Sequence, residues 1–345
     1  MIKYLLNLEK VTPLNRKQIE YLVQMAGKFS SRILLIHQCR TINGKSMLGL
    51  LSLGATGIEP VQVVVEGEDE ERAAAVIRKI LEEGVQSPKT AGDAEALLMK
   101  IKGAYADILG EKLAGLYVHG SLAFGCFNWE KSDIDLMLVL TADPGAEKKE
   151  KLCRVLYDLR DEAPPKGFEM CAVLEKDCRD ITYPMPFVLH YSKMHEQAFA
   201  ADPTAYVKRM KGFDPDIICH IAELKAASIT LLGPNEKRMF SPVYRDDVLD
   251  AIRHDLENTQ EELHNAPAYY ILNLCRALAF ARDSMMLSKR QGGVWGLQNL
   301  DISYQATIQA ALNAYSSDQD MFYEKNAAED LVYEYLPELG IEVHP

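Results

Sequence analysis

The segment from Gly120 to Leu136 carries the clearest chemical pattern in the sequence. It reads GSLAFGCFNWEKSDIDL and is followed by a further apolar run. Asp133 and Asp135 stand two positions apart at the start of a predicted strand, so their carboxylates point to the same face. Two like charges this close repel each other unless a cation lies between them. Because Mg²⁺ prefers oxygen ligands, the pattern predicts a magnesium site.

Two further features complete a set of groups suited to phosphate chemistry. Gly120 would let the backbone approach a phosphate closely, and Ser121 offers a hydroxyl and an N–H where a helix is expected to begin. A third acid, Glu169, stands at the head of the next predicted strand. Three carboxylates beside such a loop suit two-metal nucleotidyl transfer, with Asp133 and Asp135 holding the metal and Glu169 acting as the general base.

The same residues resemble a known superfamily. The stretch LYVHGSLAFGCFNWEKSDIDLMLVL is similar to the signature of the DNA polymerase β-type nucleotidyltransferases, in particular the streptomycin/spectinomycin adenylyltransferases. GFEMCAVL resembles the strand that holds the base of that branch, which corresponds to Glu169 here. ILNLCRALAFARDSMMLSKR resembles the helical segment that supplies basic nucleotide contacts, which implies that Arg276 and Lys289 neutralise the triphosphate. The resemblance implies an ATP donor, Mg²⁺ and a small-molecule hydroxyl as the acceptor.

The acceptor region departs from that family. PMPFVLHYSKMHE places Val188 and Met194 where an acid and an aromatic residue would be expected. HNAPAYY lacks the acid that the family uses to hold a cationic drug. We therefore expect adenylyl transfer with a changed acceptor site, and an aminoglycoside is one option. Tyr269 and Tyr270 either line a substrate cleft or pack in the core, and His119 either faces the site or is satisfied by its neighbours.

The first part of the chain resembles HPr, the phosphocarrier of the sugar phosphotransferase system. The similar stretches are LVQMAGKFSSRI, NGKSMLGLLSLGA and VVVEGEDEERA. Asn15 stands where HPr carries its phosphorylated histidine, and an amide cannot form a phosphoimidazole, so phosphocarrier activity is not expected. Ser46 occupies the second HPr site. It is either a regulatory phosphorylation site at a helix N-terminus or simply a helix cap.

The elements that must position these residues fall into three predicted domains of an α/β and α+β multidomain chain. Residues 1–88 form an HPr-like open-faced β-sandwich, residues 89–243 a polymerase β-like nucleotidyltransferase domain, and residues 244–345 a helical bundle that closes over the nucleotide. Beyond residue 200 the apolar residues recur at helical spacing. The helices are predicted over 216–232, 246–263, 268–287 and 302–314, with a last one near 321–336.

Composition limits the alternatives. The net charge is −12, and residues 1–88 hold 11 basic against 10 acidic side chains while the rest holds 27 against 40, which disfavours nucleic acid as a partner. The seven cysteines contain no CxxC pair, which argues against disulfides and a zinc site. No apolar run approaches the ~18 residues of a membrane span, and no secretion signal is evident, so a cytoplasmic protein is expected.

Two other functions stay open on the sequence. The chain could be a catalytically weak, nucleotide-binding regulatory protein that meets a partner of the phosphotransferase system through its HPr-like module. It could also transfer a nucleotide to a protein or tRNA hydroxyl, although the acidic main body disfavours RNA. Retention of all three acids favours the enzyme, because a binding module needs no general base.

Overall fold

The computed structural model describes residues 1–6, 16–37, 40–52, 61–82, 89–317 and 321–344, with only the backbone at 16–18 and 82. The chain divides into two compact units, Met1–Lys89 and Thr90–Pro345. Asn15 and the last residues of the predicted first domain, 83–88, lie outside the described residues.

The described residues of the first unit form a four-stranded antiparallel sheet and three α-helices. The strand order is β1-β4-β2-β3. The elements are β1 (Ile2–Leu6), α1 (Arg16–Gly27), β2 (Arg32–His37), β3 (Arg40–Asn43), α2 (Met47–Ser52), β4 (Val61–Glu66) and α3 (Glu70–Glu82). Helix α3 buries Ala73, Ile77 and Ile80, which share one helical face, and they pack with Ile33 and Val63 of the sheet. This is the α+β sandwich that the sequence predicted.

The second unit is built on a five-stranded mixed sheet of order β11-β5-β6-β7-β9, beside a two-stranded pair of β8 and β10. Strands β6 and β7 are parallel, and the other neighbours in the large sheet are antiparallel. The strands are β5 (Leu113–Val118), β6 (Ile134–Leu140), β7 (Phe168–Leu174), β8 (Met185–Phe187), β9 (Leu189–Ser192), β10 (Gly212–Asp214) and β11 (Ile229–Leu232).

Helices cover both faces of this sheet and form the remainder of the unit. Those before the bundle are α4 (Ala91–Leu109), α5 (Gly120–Ala123), α6 (Ala146–Asp158), α7 (Glu175–Arg179), α8 (Glu196–Ala201), α9 (Pro203–Arg209), α10 (Asp216–Ala226) and α11 (Glu236–Met239). Those of the bundle are α12 (Arg245–Leu256), α13 (Thr259–Glu262), α14 (Pro267–Asp283), α15 (Lys289–Asn299), α16 (Gln305–Ser316) and α17 (Lys325–Tyr335). Helix α6 provides the crossover that the parallel strands β6 and β7 require.

The alternation of side chains along β6 decides which helices cover each face. Leu136 and Leu138 belong to the apolar core that contains residues of α4 and α6. Met137 and Val139 pack on the other face, in the core that contains Ile221 of α10. Asp135 shares the parity of Met137, so its carboxylate lies on the face that α10 covers.

Close helix packing organises the bundle around α14. A Cβ on Gly293 of α15 would lie 2.6 Å from side-chain atoms of Leu272 and Leu312, and one on Gly296 would lie 2.7 Å from Sγ of Cys275. Residues without side chains are therefore required where α15 meets α14 and α16. Ser288 caps α15 by accepting a hydrogen bond from Gln291 N at 3.2 Å.

Two sequence expectations about helices are corrected. The continuous helix predicted over 216–232 ends at Ala226, and Ile229–Leu232 instead forms an edge strand that pairs with β5. Its β-branched residues, Ile229 and Thr230, suit a strand. Helix α15 was not predicted, because its three glycines lower helix propensity, and tertiary packing stabilises it instead.

Candidate active site

The three predicted acids converge at one edge of the five-stranded sheet. Asp135 of β6 and Glu169 of β7 are partners in the parallel register. Asp133 precedes β6 and has the same parity as Asp135. One carboxylate oxygen from each of the three lies within 4.8 Å of the other two. This spacing brings together three hard oxygen donors, the set that Mg²⁺ prefers.

The electrostatics of this cluster call for a cation. Burial raises the pKa of Asp135 well above its ordinary value, and the neighbouring charges of Asp133 and Glu169 raise it further. Lys289 opposes the shift but does not cancel it. An excess of carboxylate charge at a half-buried site is relieved when a divalent ion binds, so the residues present fit Mg²⁺. Their assignment as metal ligands and base stays a prediction.

The predicted phosphate loop leads directly from β5 into the cluster. Gly120 has φ +60°, and a Cβ at this position would lie 1.9 Å from Oδ2 of Asp135. Only glycine fits both the backbone conformation and the space. Ser121 Oγ is buried and has no hydrogen-bond partner among the described residues. An unsatisfied buried hydroxyl beside a cavity is suited to binding a ligand oxygen.

Two cations of the helical bundle face the same space. Arg276 of α14 and Lys289, the first residue of α15, both line the cavity described below. A Cβ on Gly292 would lie 2.9 Å from Cα and N of Arg276, so the glycine allows α15 to approach α14 at this point. Burial, and then the charge of Arg276, lower the pKa of Lys289 to about 8. An anion that binds between them would relieve this repulsion.

All the predicted site residues of the second unit line one cavity of about 770 Å³. Its charged lining consists of six carboxylates and four cationic side chains among the described residues. The carboxylates are Asp133, Asp135, Glu169, Asp216, Glu223 and Asp255, and the cationic residues are Lys131, Lys166, Arg276 and Lys289. The volume suits a nucleotide together with a second small molecule.

Several cavity residues were missed by sequence reasoning. Glu223 and His220 of α10 and Asp255 of α12 line it, but they sit in amphipathic helices where charged residues usually face solvent. The turn-by-turn spacing of Asp216, Cys219, His220 and Glu223 along one face of α10 was the available signal. His119 meets both expectations, since it lines the cavity and lies 3.5 Å from Glu223.

Of the residues considered for the acceptor site, only some line the cavity. Tyr269 lines the cavity, whereas Tyr270 is absent from its lining and packs against the helical core. The Tyr269 hydroxyl donates a 3.1 Å hydrogen bond to Asp255, and Lys289 Nζ lies 4.8 Å from the Tyr269 ring centroid. Val188 and Met194 are not part of the lining, and Met194 is 89 % exposed. The two positions at which the sequence departs from the family therefore do not face this cavity.

Ser46 belongs to the first unit. It immediately precedes α2, and its Oγ accepts a 3.2 Å hydrogen bond from Gly49 N. The serine therefore serves as a cap in this structure, and phosphorylation stays a prediction. No helix among the described residues is long and apolar enough to cross a membrane.

Comparison with family models finds two matches. Residues 238–337 match the C-terminal domain of aminoglycoside adenylyltransferases, and residues 14–83 match the phosphorylation-site region of the phosphotransferase HPr component. The phosphocarrier protein HPr of Treponema pallidum is 33% identical over 61 residues, which are 18% of this chain and 69% of HPr.

Curated adenylyltransferases match a larger share of the chain than the family model does. An aminoglycoside (3'') (9) adenylyltransferase of Klebsiella pneumoniae is 22% identical over 241 residues, 66% of this chain and 89% of the relative. A spectinomycin 9-adenylyltransferase of Staphylococcus aureus is 21% identical over 222 residues, 63% of this chain and 84% of the relative.

A solved structure shares the fold. The spectinomycin adenyltransferase of Enterococcus faecialis, determined with ATP and spectinomycin, has a TM-score of 0.61 and 16% sequence identity, and the similarity covers 71% of this chain and 99% of that one. The resemblances read from the sequence are thereby confirmed. The chain belongs to the HPr family in its N-terminal part, and the remainder is similar to aminoglycoside adenylyltransferases, whose C-terminal domain it matches over residues 238–337.

Proposed function

We propose that this protein transfers AMP from ATP to a hydroxyl of a small, positively charged molecule. The observation that carries the proposal is the convergence of Asp133, Asp135 and Glu169 in the same cavity that Arg276 and Lys289 line. The relatives are adenylyltransferases, which supports the reaction type.

Each group has a role set by its chemistry. Asp133 and Asp135 hold Mg²⁺, which when bound neutralises the triphosphate and makes the α-phosphorus more electrophilic. Gly120 and Ser121 bind phosphate oxygens through the backbone and the free hydroxyl. Arg276 and Lys289 balance the charge of the phosphates.

Glu169 acts as the general base. Its carboxylate accepts the proton of the acceptor hydroxyl, whose oxygen attacks the α-phosphorus. The bond from the α-phosphorus to the bridging oxygen breaks, and pyrophosphate leaves. The products are the adenylylated acceptor and pyrophosphate, so atoms and charge balance.

The charge of the cavity indicates a cationic acceptor. Its six carboxylates exceed its four cationic side chains. A nucleoside triphosphate with two divalent ions adds no net charge, so the loaded cavity stays negative. Asp255 accepts hydrogen bonds only from neutral donors, Tyr269 Oη at 3.1 Å and Asn273 Nδ2 at 3.2 Å, among the described residues. An ammonium group on the acceptor would complete its surroundings.

The direct test is product analysis. The purified chain is incubated with ATP, Mg²⁺ and a panel of aminoglycosides, spectinomycin, neutral sugars and nucleosides, and adenylylated products are identified by mass spectrometry. Transfer to a cationic acceptor that disappears in Glu169→Gln and Asp133→Asn supports the proposal. Glu111→Gln, an exposed acid outside the cavity lining, is the matched control. ATP binding with no product from any acceptor favours the regulatory alternative.

The HPr domain favours an additional role in binding a protein of the phosphotransferase system. Helix α2 follows Ser46 and exposes Leu48 by 80% and Leu51 by 44%. Binding of phosphotransferase proteins to the full chain can be compared with Leu48→Ser and Ser46→Asp variants. Equal binding by all three would exclude α2 as the contact surface.

A further inference from the structure

A buried carboxylate that the proposed chemistry does not use joins two parts of the site. Glu223 of α10 is 8% exposed. Its Oε1 accepts a 2.9 Å hydrogen bond from Nη1 of Arg276, and its Oε2 lies 3.5 Å from Nδ1 of His119. One side chain thus links the bundle helix α14 to the residue that precedes the Gly120-Ser121 loop.

Both ends of this link are themselves held in place. The backbone N–H of His119 donates a 3.2 Å hydrogen bond to the carbonyl of Asp135, and its side chain is almost fully buried against the His220 ring, with centroids 4.8 Å apart. At the other end, the close approach of Gly292 fixes the backbone of Arg276. If Glu223 moved, the side chain of Arg276 would therefore have to move with it.

The charges explain why a carboxylate stands here. Burial alone would raise the pKa of Glu223, but the hydrogen bond from His119 and the charge of Arg276 outweigh it and hold the pKa well below its usual range. Glu223 therefore stays ionised. Its charge offsets part of the repulsion between Arg276 and Lys289 while the cavity holds no triphosphate.

We propose that Glu223 is a positioning residue that sets the orientation of the Arg276 guanidinium relative to the phosphate loop, through its bridge to His119. The inference rests on the proposed function, because Arg276 is taken to contact the triphosphate. Because the guanidinium is already held in this orientation, less side-chain entropy is lost when ATP binds.

The test combines Glu223→Gln with Arg276→Lys. The amide keeps the volume of Glu223 but loses its charge, so the guanidinium is held less firmly. We expect the KM for ATP to rise about tenfold, which is about 1.4 kcal/mol, with a smaller fall in kcat. Because both residues act through one contact, the double variant should lose less than the two single losses combined.

The control is Glu257→Gln. Glu257 lies 3.5 Å from His254 in an exposed pair outside the cavity lining, so this variant also breaks a histidine–glutamate pair. Its KM for ATP should equal that of the wild type. Thermal unfolding of every variant separates a loss of fold from a loss of orientation.

Each of the following results would overturn the inference. Glu223→Gln could bind ATP as tightly as the wild type or more tightly, or its effect could simply add to that of Arg276→Lys. If Glu223→Gln does not fold, His119→Phe breaks the other end of the bridge while keeping the ring contact, and an unchanged KM for ATP in that variant would contradict it. If the wild type neither binds ATP nor transfers AMP, the proposed function fails, and this inference fails with it.

Discussion

Gly120 lies so close to Asp135 that a Cβ on the glycine would stand 1.9 Å from Oδ2 of the carboxylate. The turn that follows β5 therefore packs directly against the start of β6 within the candidate site. The contact ties the phosphate loop to a proposed metal ligand, so any side chain at position 120 has to displace Asp135.

We expect Gly120→Ala to abolish adenylyl transfer while leaving the chain folded. The methyl group would push the Asp135 carboxylate out of the cluster of three acids, and the backbone strain at φ +60° adds a cost of about 1 kcal/mol. The measurement is Mg²⁺-dependent ATP binding by calorimetry, together with product formation.

Gly125→Ala is the matched control for this substitution. Gly125 also has positive φ, +68°, but a Cβ there would meet nothing within 4 Å. Gly125→Ala should lower the free energy of unfolding through the same backbone strain, but it should keep Mg²⁺-dependent ATP binding. Equal losses in the two variants would mean that strain, and not contact with Asp135, explains the effect.

A second prediction concerns the glycine that brings α15 against α14. In Gly292→Ala the added Cβ meets the backbone of Arg276, which cannot move aside as a side chain could. Overpacking of this kind costs about 1–3 kcal/mol. We expect a lower free energy of unfolding and weaker ATP binding, because Lys289 moves away from Arg276.

The control for the helix change is Gly103→Ala in α4. Gly103 has nothing within 4 Å of its added Cβ, so alanine should stabilise that helix slightly through its higher propensity. Denaturant unfolding and ATP titration of both variants decide the matter. A Gly292→Ala variant as stable as the wild type would show that α15 can shift at no cost.

The sequence predicted the acid cluster better than its surroundings, for physical reasons. Asp133 and Asp135 stand two positions apart at the start of one strand, so their common face follows from local spacing. Glu169 joins them through the register of β6 with β7. Glu223 was missed because a single acid in an amphipathic helix carries no sign of its partner, His119, which is 104 residues away. Such a pairing depends on how α10 packs on the sheet, and no local pattern encodes it.

A third prediction follows from the lowered pKa of Lys289, which burial and Arg276 bring to about 8. Above that pH the free protein carries a neutral amine, while a bound triphosphate favours the ammonium. We therefore expect ATP binding to take up a proton near pH 8–9 and the KM for ATP to rise as the pH passes 8.

Calorimetry in buffers of different ionisation enthalpy measures this proton uptake. Lys289→Arg keeps the positive charge at all these pH values, so it should bind ATP without the uptake. If the arginine variant and the wild type show the same pH profile, another group is responsible.

The last prediction concerns removal of the metal and the charge on Asp135. Since burial and two neighbouring carboxylates raise the pKa of this group, its ionised form opposes folding when no cation is present. Asp135→Asn keeps the shape and removes the charge. We expect the metal-free variant to unfold at a higher temperature than the metal-free wild type. Each kcal/mol gained in the free energy of unfolding should raise the unfolding temperature by roughly 2–4 °C. Added Mg²⁺ should then stabilise the wild type and not the variant, because a bound ligand raises stability only where its site exists.

Thermal unfolding with and without Mg²⁺ measures both effects in one experiment. The control is Asp161→Asn, which changes an exposed acid outside the cavity. A variant that unfolds at a lower temperature than the wild type without metal would mean that the Asp135 carboxylate stabilises the fold through contacts of its own, and the argument for an excess of charge at this site would be wrong.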